Sequence, residues 1–399
     1  MSSATRNSSR VLQHARVVLP DRVVENSALS IEEGLIASVS PSETEQTAPP
    51  ASNNLSGLTL YPGMIDVHIH GAVGVDTMAA TKEDLSRVSR FLAASGVTGW
   101  MPTLVPAASG DYKNAVRAIE GLMNEQQAEV AVSTGARVLG VHYEGPFVNA
   151  SQCGALHRAH FKAFGSSSDL DDLPTPQVAG AVRMMTVAPE VDGGIELIRE
   201  LVGRGWIVSL GHTRADVETL DRAFAAGAHH MTHFMNAMPQ LHHRAPGPVG
   251  WGLARDEVTC DLIADGVHVD PLMMRVLMRL KGSERLALIS DAIAAAGQGD
   301  GDYQIWGETI AVRNGRTSNE KGSIAGSVIT MLDAAKTMLS LGASEVELAR
   351  MTATNPARLL GINRDCGSIE VGKRADLVGI DQDGQVKVTI IGGQLVFEF

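Results

Sequence analysis

The sequence predicts an α/β protein: a (β/α)8 TIM-like barrel carrying a small β-sandwich domain built from both chain termini. Three observations predict it. Between residues 61 and 365, strand-length apolar runs alternate with stretches of helical periodicity. Both flanks, 1–60 and 366–399, are strand-rich and lack that alternation. Histidines and carboxylates collect at the ends of the apolar runs, where barrels of this kind place their active sites.

The elements follow in order. RVLQHARVVLP and SALSIEEGLIASVS, within residues 10–40, read as short strands joined by turns, and polar, proline-bearing 41–54 as a surface loop. Barrel strands are predicted at 63–70, 97–103, 137–144, 182–188, 206–212, 229–233, 260–265 and 286–291. Amphipathic helices separate most of them, as at 81–96, 193–205 and 214–227. The sixth strand is short, and 234–258 reads as a loop-like run rather than a helix. After the eighth strand, GQGDGDYQIWGETIAVRNGRTSNEKGS has the Gly and Asn turns of an inserted hairpin. From Gly367 the chain is β again, and the two ends, both at the surface, can pair into one small domain.

Bulk properties exclude some partners. With 33 basic and 45 acidic residues the net charge is −12, which argues against nucleic acid or an anionic membrane. No apolar run is long enough to span a bilayer. MSSATRNSSR lacks the apolar core of a secretory signal, and Cys153, Cys260 and Cys366 are too few and scattered for a disulfide framework. A cytoplasmic protein is expected.

His68 and His70 end the first strand. Residues i and i+2 share a strand face, so both imidazoles project one way from Cα atoms roughly 7 Å apart. Alone, the pair is either a set of metal ligands or two histidines in a buried strand. Further strands end in, or are followed by, Glu144, His212, His233, His268 and Asp291. Nitrogen and carboxylate donors without cysteine suit a hydrolytic Zn2+, Fe2+, Co2+ or Mn2+ site better than a structural zinc. Asp291, after the apolar run LALIS, is either the acid/base of such a site or the cap of the next helix.

These residues lie in blocks that resemble the amidohydrolase superfamily, and within it the N-acetylglucosamine-6-phosphate deacetylase family. PGMIDVHIHG and Asp291 carry the wider pattern. The narrower one is carried by HYEGPF (142–147), SLGHTRA (209–215), THFMNAM (232–238), HHRAPG (242–247), ADGVHV (264–269), SDAIAA (290–295) and SIAGS (323–327). MPTLVP (101–106), TNPARLLG (354–361) and GSIEVGKRADLVGID also fit, so the likeness spans essentially the whole chain.

The resemblance implies that Glu144, His212 and His233 hold a divalent metal, first of all Zn2+, with His68 and His70 deciding whether a second ion binds. It implies that Asp291 is the catalytic acid/base and that His268 contacts the sugar and polarises the amide carbonyl. Asn236, Ala237 and Arg244 match the phosphate-holding part, the arginine reaching across a homodimer interface, and Ile324-Ala325-Gly326 matches a loop lining the pocket. Two departures stand at the sugar and phosphate end. Cys153-Gly-Ala-Leu-His157 displaces by one residue a family histidine that contacts substrate, and Ala245 stands where a glutamate is common.

The implied reaction is hydrolysis of the N-acetyl group of N-acetylglucosamine 6-phosphate to the amino sugar phosphate and acetate. N-acetylgalactosamine 6-phosphate or an unphosphorylated N-acetyl sugar is the alternative substrate. Cyclic-amide hydrolases of the superfamily carry a carboxylated lysine on a middle strand, whereas 137–147 contains none. A non-catalytic scaffold would be expected to have lost ligands that this chain keeps.

Overall fold

A computed structural model describes residues 9–42, 52–128 and 134–399. Eight parallel strands follow one another around a barrel: β1 (Met64–Ile69), β2 (Val97–Leu104), β3 (Gly140–Glu144), β4 (Val182–Val187), β5 (Ile207–Leu210), β6 (His230–Met231), β7 (Thr259–Ile263) and β8 (Leu286–Ile289). The hydrogen-bonded ladder runs from β1 to β8 in chain order, with Arg137–Val138 extending the β2 edge. Side-chain and loop contacts bridge the remaining seam. The Asp291 amide donates to the His68 carbonyl at 3.0 Å, and the Ser290 hydroxyl donates to the buried Asp66 carboxylate at 2.5 Å.

The strands read as apolar, β-branched runs because both of their faces are covered. Outside them, Lys82–Ala94 begins at a Thr81–Asp84 capping box and turns Leu85, Val88 and Leu92 inward. Each such side chain contributes about 1.5–3 kcal/mol on burial. Asp216 caps Val217–Ala225 by accepting from the Thr219 amide. The run after β6 is not all loop: Gly247–Ala254 is a helix. Its sequence, GPVGWGLA, has little intrinsic helix propensity. Burial of Val249 and Trp251, and the bond from the Trp251 indole to Asp221 at 2.8 Å, hold it instead.

The terminal strands join one eight-stranded mixed sheet. From one edge the order is Gln394–Glu398, Val386–Ile391, Leu377–Ile380, Thr59–Pro62, Arg10–Val18, Val23–Glu32 and Leu35–Pro41. Ser52–Asn54, within the segment predicted as surface loop, adds a short parallel strand beside Arg10–Val18; residues 43–51 of that segment lie outside the described residues. Leu12, Leu29 and Ile36 share one core with Leu377 and Ile390, so the sheet folds over itself in sandwich fashion. The insert after β8 is three-stranded: Gly301–Ile305, Glu308–Arg313 and Arg316–Ser318. Among the described residues no helix is long and apolar enough to cross a membrane.

Candidate active site

All the reactive side chains that end barrel strands meet at the same rim. His68 and His70 close β1, Glu144 ends β3, and His212, His233 and Asp291 stand two residues past β5, β6 and β8. These last three adopt left-handed backbone conformations, with φ of +47°, +30° and +50°. Such conformations cost of order 1–3 kcal/mol for side chains of this size and persist where the surroundings over-determine them. Here the Asn149 amide holds the His212 carbonyl at 3.0 Å, the Asn236 amide holds that of His233 at 2.9 Å, and the Ser327 amide holds that of Asp291 at 2.7 Å. Gly326, at φ +57°, permits the last contact, since a Cβ there would stand 2.9 Å from the Asp291 carbonyl.

Glu144, His212 and His233 are buried and offer donor atoms within 4.8 Å of one another; His68, His70 and Glu144 form a second such group. A carbonyl only accepts, so the His212 Nδ1 that meets the Gln152 carbonyl at 2.7 Å carries the proton. In the neutral ring Nε2 then presents a lone pair, aimed at Glu144 Oε1 at 2.9 Å and His233 Nε2 at 3.1 Å. His233 Nε2 lies 3.0 Å from the same oxygen. Lone pairs at these separations repel unless a proton or cation sits among them. The donor set therefore fits a divalent cation, and N and O donors without cysteine are those of a catalytic rather than a structural metal site.

The second group shares the carboxylate. His68 and His70 Nε2 atoms are 3.1 Å apart, and His70 Nε2 is 3.3 Å from both Glu144 Oε2 and Asp291 Oδ1. Burial alone would raise the Glu144 carboxyl, but the imidazoles crowded around it hold it well below its usual range, as a cation among these donors would. Burial likewise opposes protonation of His70, yet Asp291 and Glu144 outweigh it and push that ring up to about 10. His68, fully buried, is depressed.

A cavity of about 220 Å3 opens beside these groups, and His268, Asn236, Ala237, Ile324 and Gly326 line it with them. His268 Nδ1 is 2.7 Å from Asp265 Oδ2. Asp265 also accepts from the Val267 and His268 amides at 2.8 Å, and its carboxyl is held low by His268 despite burial. Three other predicted residues lie elsewhere. Ala325 is buried against the insert, its amide on Thr317 Oγ1, while its two neighbours face the cavity. His157 is outside the lining and donates from Nε2 to the Trp306 carbonyl at 2.5 Å. Arg244 is exposed, its guanidinium 2.8 Å from His243 Nε2.

Sequence reasoning missed four contributors. Asp265 orients His268, the Gln152 carbonyl sets the His212 tautomer, and Trp306 walls the cavity. His142 bonds the Val67 carbonyl at 3.0 Å and Thr186 Oγ1 at 2.8 Å, bracing β1 from β3 with its ring edge-on to His68. Asp265 carried a signal, a carboxylate three residues before a histidine. The Gln152 carbonyl carried none.

The Amidohydrolase family profile matches residues 59–396. N-acetylglucosamine-6-phosphate deacetylase of Bacillus subtilis (strain 168) is 37% identical over 393 residues, 98% of this chain and 97% of that protein. N-acetylgalactosamine-6-phosphate deacetylase of Escherichia coli O157:H7 is 34% identical, over 97% and 99% of the two chains. The structure of N-acetylglucosamine-6-phosphate deacetylase from Thermotoga maritima superposes with a TM-score of 0.87 at 33% identity, covering 98% of this chain and 100% of that one. Likeness of this extent, together with a His/Glu metal centre at the rim of a parallel barrel, places the chain in the N-acetylglucosamine-6-phosphate deacetylase family of the amidohydrolase superfamily.

Proposed function

We propose that the protein deacetylates N-acetylglucosamine 6-phosphate, or a close N-acetylhexosamine 6-phosphate, to the amino sugar phosphate and acetate. The observation that carries this reading is the convergence of Glu144, His212 and His233 lone pairs beside Asp291 and His268 in one cavity. Glu144, His212 and His233 would hold Zn2+, or Fe2+, Co2+ or Mn2+ in its place, with His68 and His70 available to a second ion. When bound, the ion polarises the amide carbonyl and lowers the pKa of water to about 7.

The side chains do the rest. Asp291, buried at the end of β8, takes a proton from the attacking water and returns it to the departing nitrogen. His268, its Nδ1 held by Asp265, is placed to donate from Nε2 to the carbonyl oxygen. One well-aimed donor of this kind is worth about 3 kcal/mol. Asn236 and Ala237 line the wall that would face the sugar, and the exposed guanidinium of Arg244 would serve the phosphate of a neighbouring subunit in a homodimer. Paired guanidinium N–H groups suit phosphate oxygens. The reaction belongs to the cytoplasm, where sugar phosphates are kept.

The galactosamine epimer is the second reading, supported by the E. coli relative. Acetate release by metal-loaded protein, measured on N-acetylglucosamine and N-acetylgalactosamine with and without the 6-phosphate, tests both. The expected result is fastest turnover of N-acetylglucosamine 6-phosphate. Preference for the galacto epimer would select the second reading, and no acetate from any of the four would overturn both.

A further inference from the structure

The insert after β8 reaches the active site at its first turn. Ile305 pairs with Glu308, so the hairpin loop is Trp306-Gly307 alone, with φ of +53° and +76°. Such left-handed two-residue turns favour Asn-Gly or Asp-Gly, because a bulky side chain at positive φ is strained. A tryptophan holds the position here, and the surroundings fix it. Its indole stands edge-on to His70 with ring centroids 5.2 Å apart. Its carbonyl accepts from His157 Nε2 at 2.5 Å, and its ring packs on the apolar cluster of Val105, Val148 and Leu156.

The indole also divides two cavities. It lines the catalytic cavity of about 220 Å3 and, equally, a neighbouring cavity of about 490 Å3 beyond the ends of β1 and β2. Met78, Val105 and Pro106 line the second cavity beside Trp306, with the more polar Asp76, Asn114 and His160. Asn236 and Ala237, on the loop that also carries His233, line the catalytic cavity together with Trp306 and the metal donors. A substrate whose carbonyl lies at those donors brings its acyl carbon chain beside His70, and so within reach of the indole that stands edge-on to it.

Resting on the deacetylase reading above, we propose that Trp306 sets the acyl length: the indole admits an acetyl group and blocks longer N-acyl chains from the Met78, Val105 and Pro106 side of the cavity behind it. The chemistry is unchanged by chain length. Water adds to the carbonyl carbon, the C–N bond breaks, the carboxylic acid leaves with the water oxygen, and the nitrogen gains the proton.

The test compares N-acetyl-, N-propionyl- and N-butyryl-glucosamine 6-phosphate as substrates of the metal-loaded full-length enzyme, following release of the free amine. Wild type is expected to lose roughly 10-fold or more in kcat/KM per added methylene. Trp306→Ala should raise the butyryl-to-acetyl ratio by at least about tenfold, and Trp306→Leu, should the alanine variant fail to fold, should raise it in the same direction. Refilling the space with Met78→Trp in the Trp306→Ala background should reverse the gain. A wild type active on the acetyl substrate with the ratio unmoved in the variants overturns the gate alone. A wild type inactive on all three overturns the deacetylase reading and the gate with it.

Discussion

Asp265→Asn removes a charge without changing shape, and its effect can be worked out from one contact. The carboxylate lies 2.7 Å from His268 Nδ1, and both side chains are almost fully buried. A hydrogen bond to a charged group contributes about 1.5–3 kcal/mol, and each 1.36 kcal/mol is a factor of ten in rate. The asparagine keeps an oxygen for the Val267 and His268 amides but turns its NH2 toward Nδ1, so the loop is retained while the imidazole loses the carboxylate charge beside it. The expected result is a fall in deacetylation kcat/KM of roughly 10- to 150-fold, with metal content and Tm little changed. A double-mutant cycle with His268→Gln isolates the route. If Asp265 acts through His268, adding Asp265→Asn to His268→Gln costs almost nothing more. Full additivity of the two losses, or a single-mutant rate within twofold of wild type, would refute the reasoning.

Asp291→Asn should give a folded protein that keeps its metal and has lost nearly all turnover; near-normal kcat would remove Asp291 from the acid/base role. Glu144→Gln, which replaces the carboxylate shared by both donor groups, should purify with substoichiometric metal by elemental analysis, and chelation of the wild type should reproduce its lower Tm and be reversed by Zn2+. Arg244→Ala should raise KM for the phosphorylated substrate and leave the unphosphorylated sugar unaffected; an equal effect on both would take Arg244 out of the phosphate site. Asp376→Asn should destabilise the junction of barrel and terminal sheet by about 3 kcal/mol in denaturant titration, since Arg137 at 2.9 Å loses its partner. Burial alone would raise the Asp376 carboxyl, but Arg137 and Arg374 hold it below its usual value. Its contribution is therefore full above about pH 4 and fades as pH falls through the folded value, so the variant's deficit should shrink in acid.

The barrel was legible because its strands are covered on both faces and must be apolar and β-branched, a pattern visible without tertiary knowledge. It failed where local preference and final structure diverge. Gly247–Ala254 is helical against its glycine content because Val249 and Trp251 need burial, and Ser52–Asn54 becomes a strand because Thr59–Pro62 covers only Arg16 and Val17 on that side of Arg10–Val18 and leaves Val11–Gln13 open. The same division runs through the site. Glu144, His212, His233 and Asp291 could be picked out because they follow strands, and a barrel converges its strand ends. Asp265 was passed over because a carboxylate three residues from a histidine in a loop is as easily a turn residue. Trp306 looked like a hairpin loop because its approach to His70 depends on how the insert folds back over the barrel. Ala325 shows the limit of carrying roles by position: adjacent residues on an extended turn face opposite ways, and it is Ile324 and Gly326 that reach the cavity.

Strain and charge at the rim have one physical consequence. His212, His233 and Asp291 each hold positive φ, and the carbonyl contacts that fix them leave their side chains little freedom to move apart. The His212 tautomer is preset by a backbone carbonyl, so that ring cannot relieve the repulsion by shifting its proton. Relief must come from an added positive charge, either a proton or a metal ion. A proton satisfies one or two of the lone pairs, whereas a divalent ion can satisfy Glu144, His212 and His233 together. The fold thus stores, in backbone conformation and in opposed lone pairs, a preference for the metal-bound state. Its cost to the metal-free protein and its contribution to metal affinity are the same free energy viewed from two ends of one equilibrium.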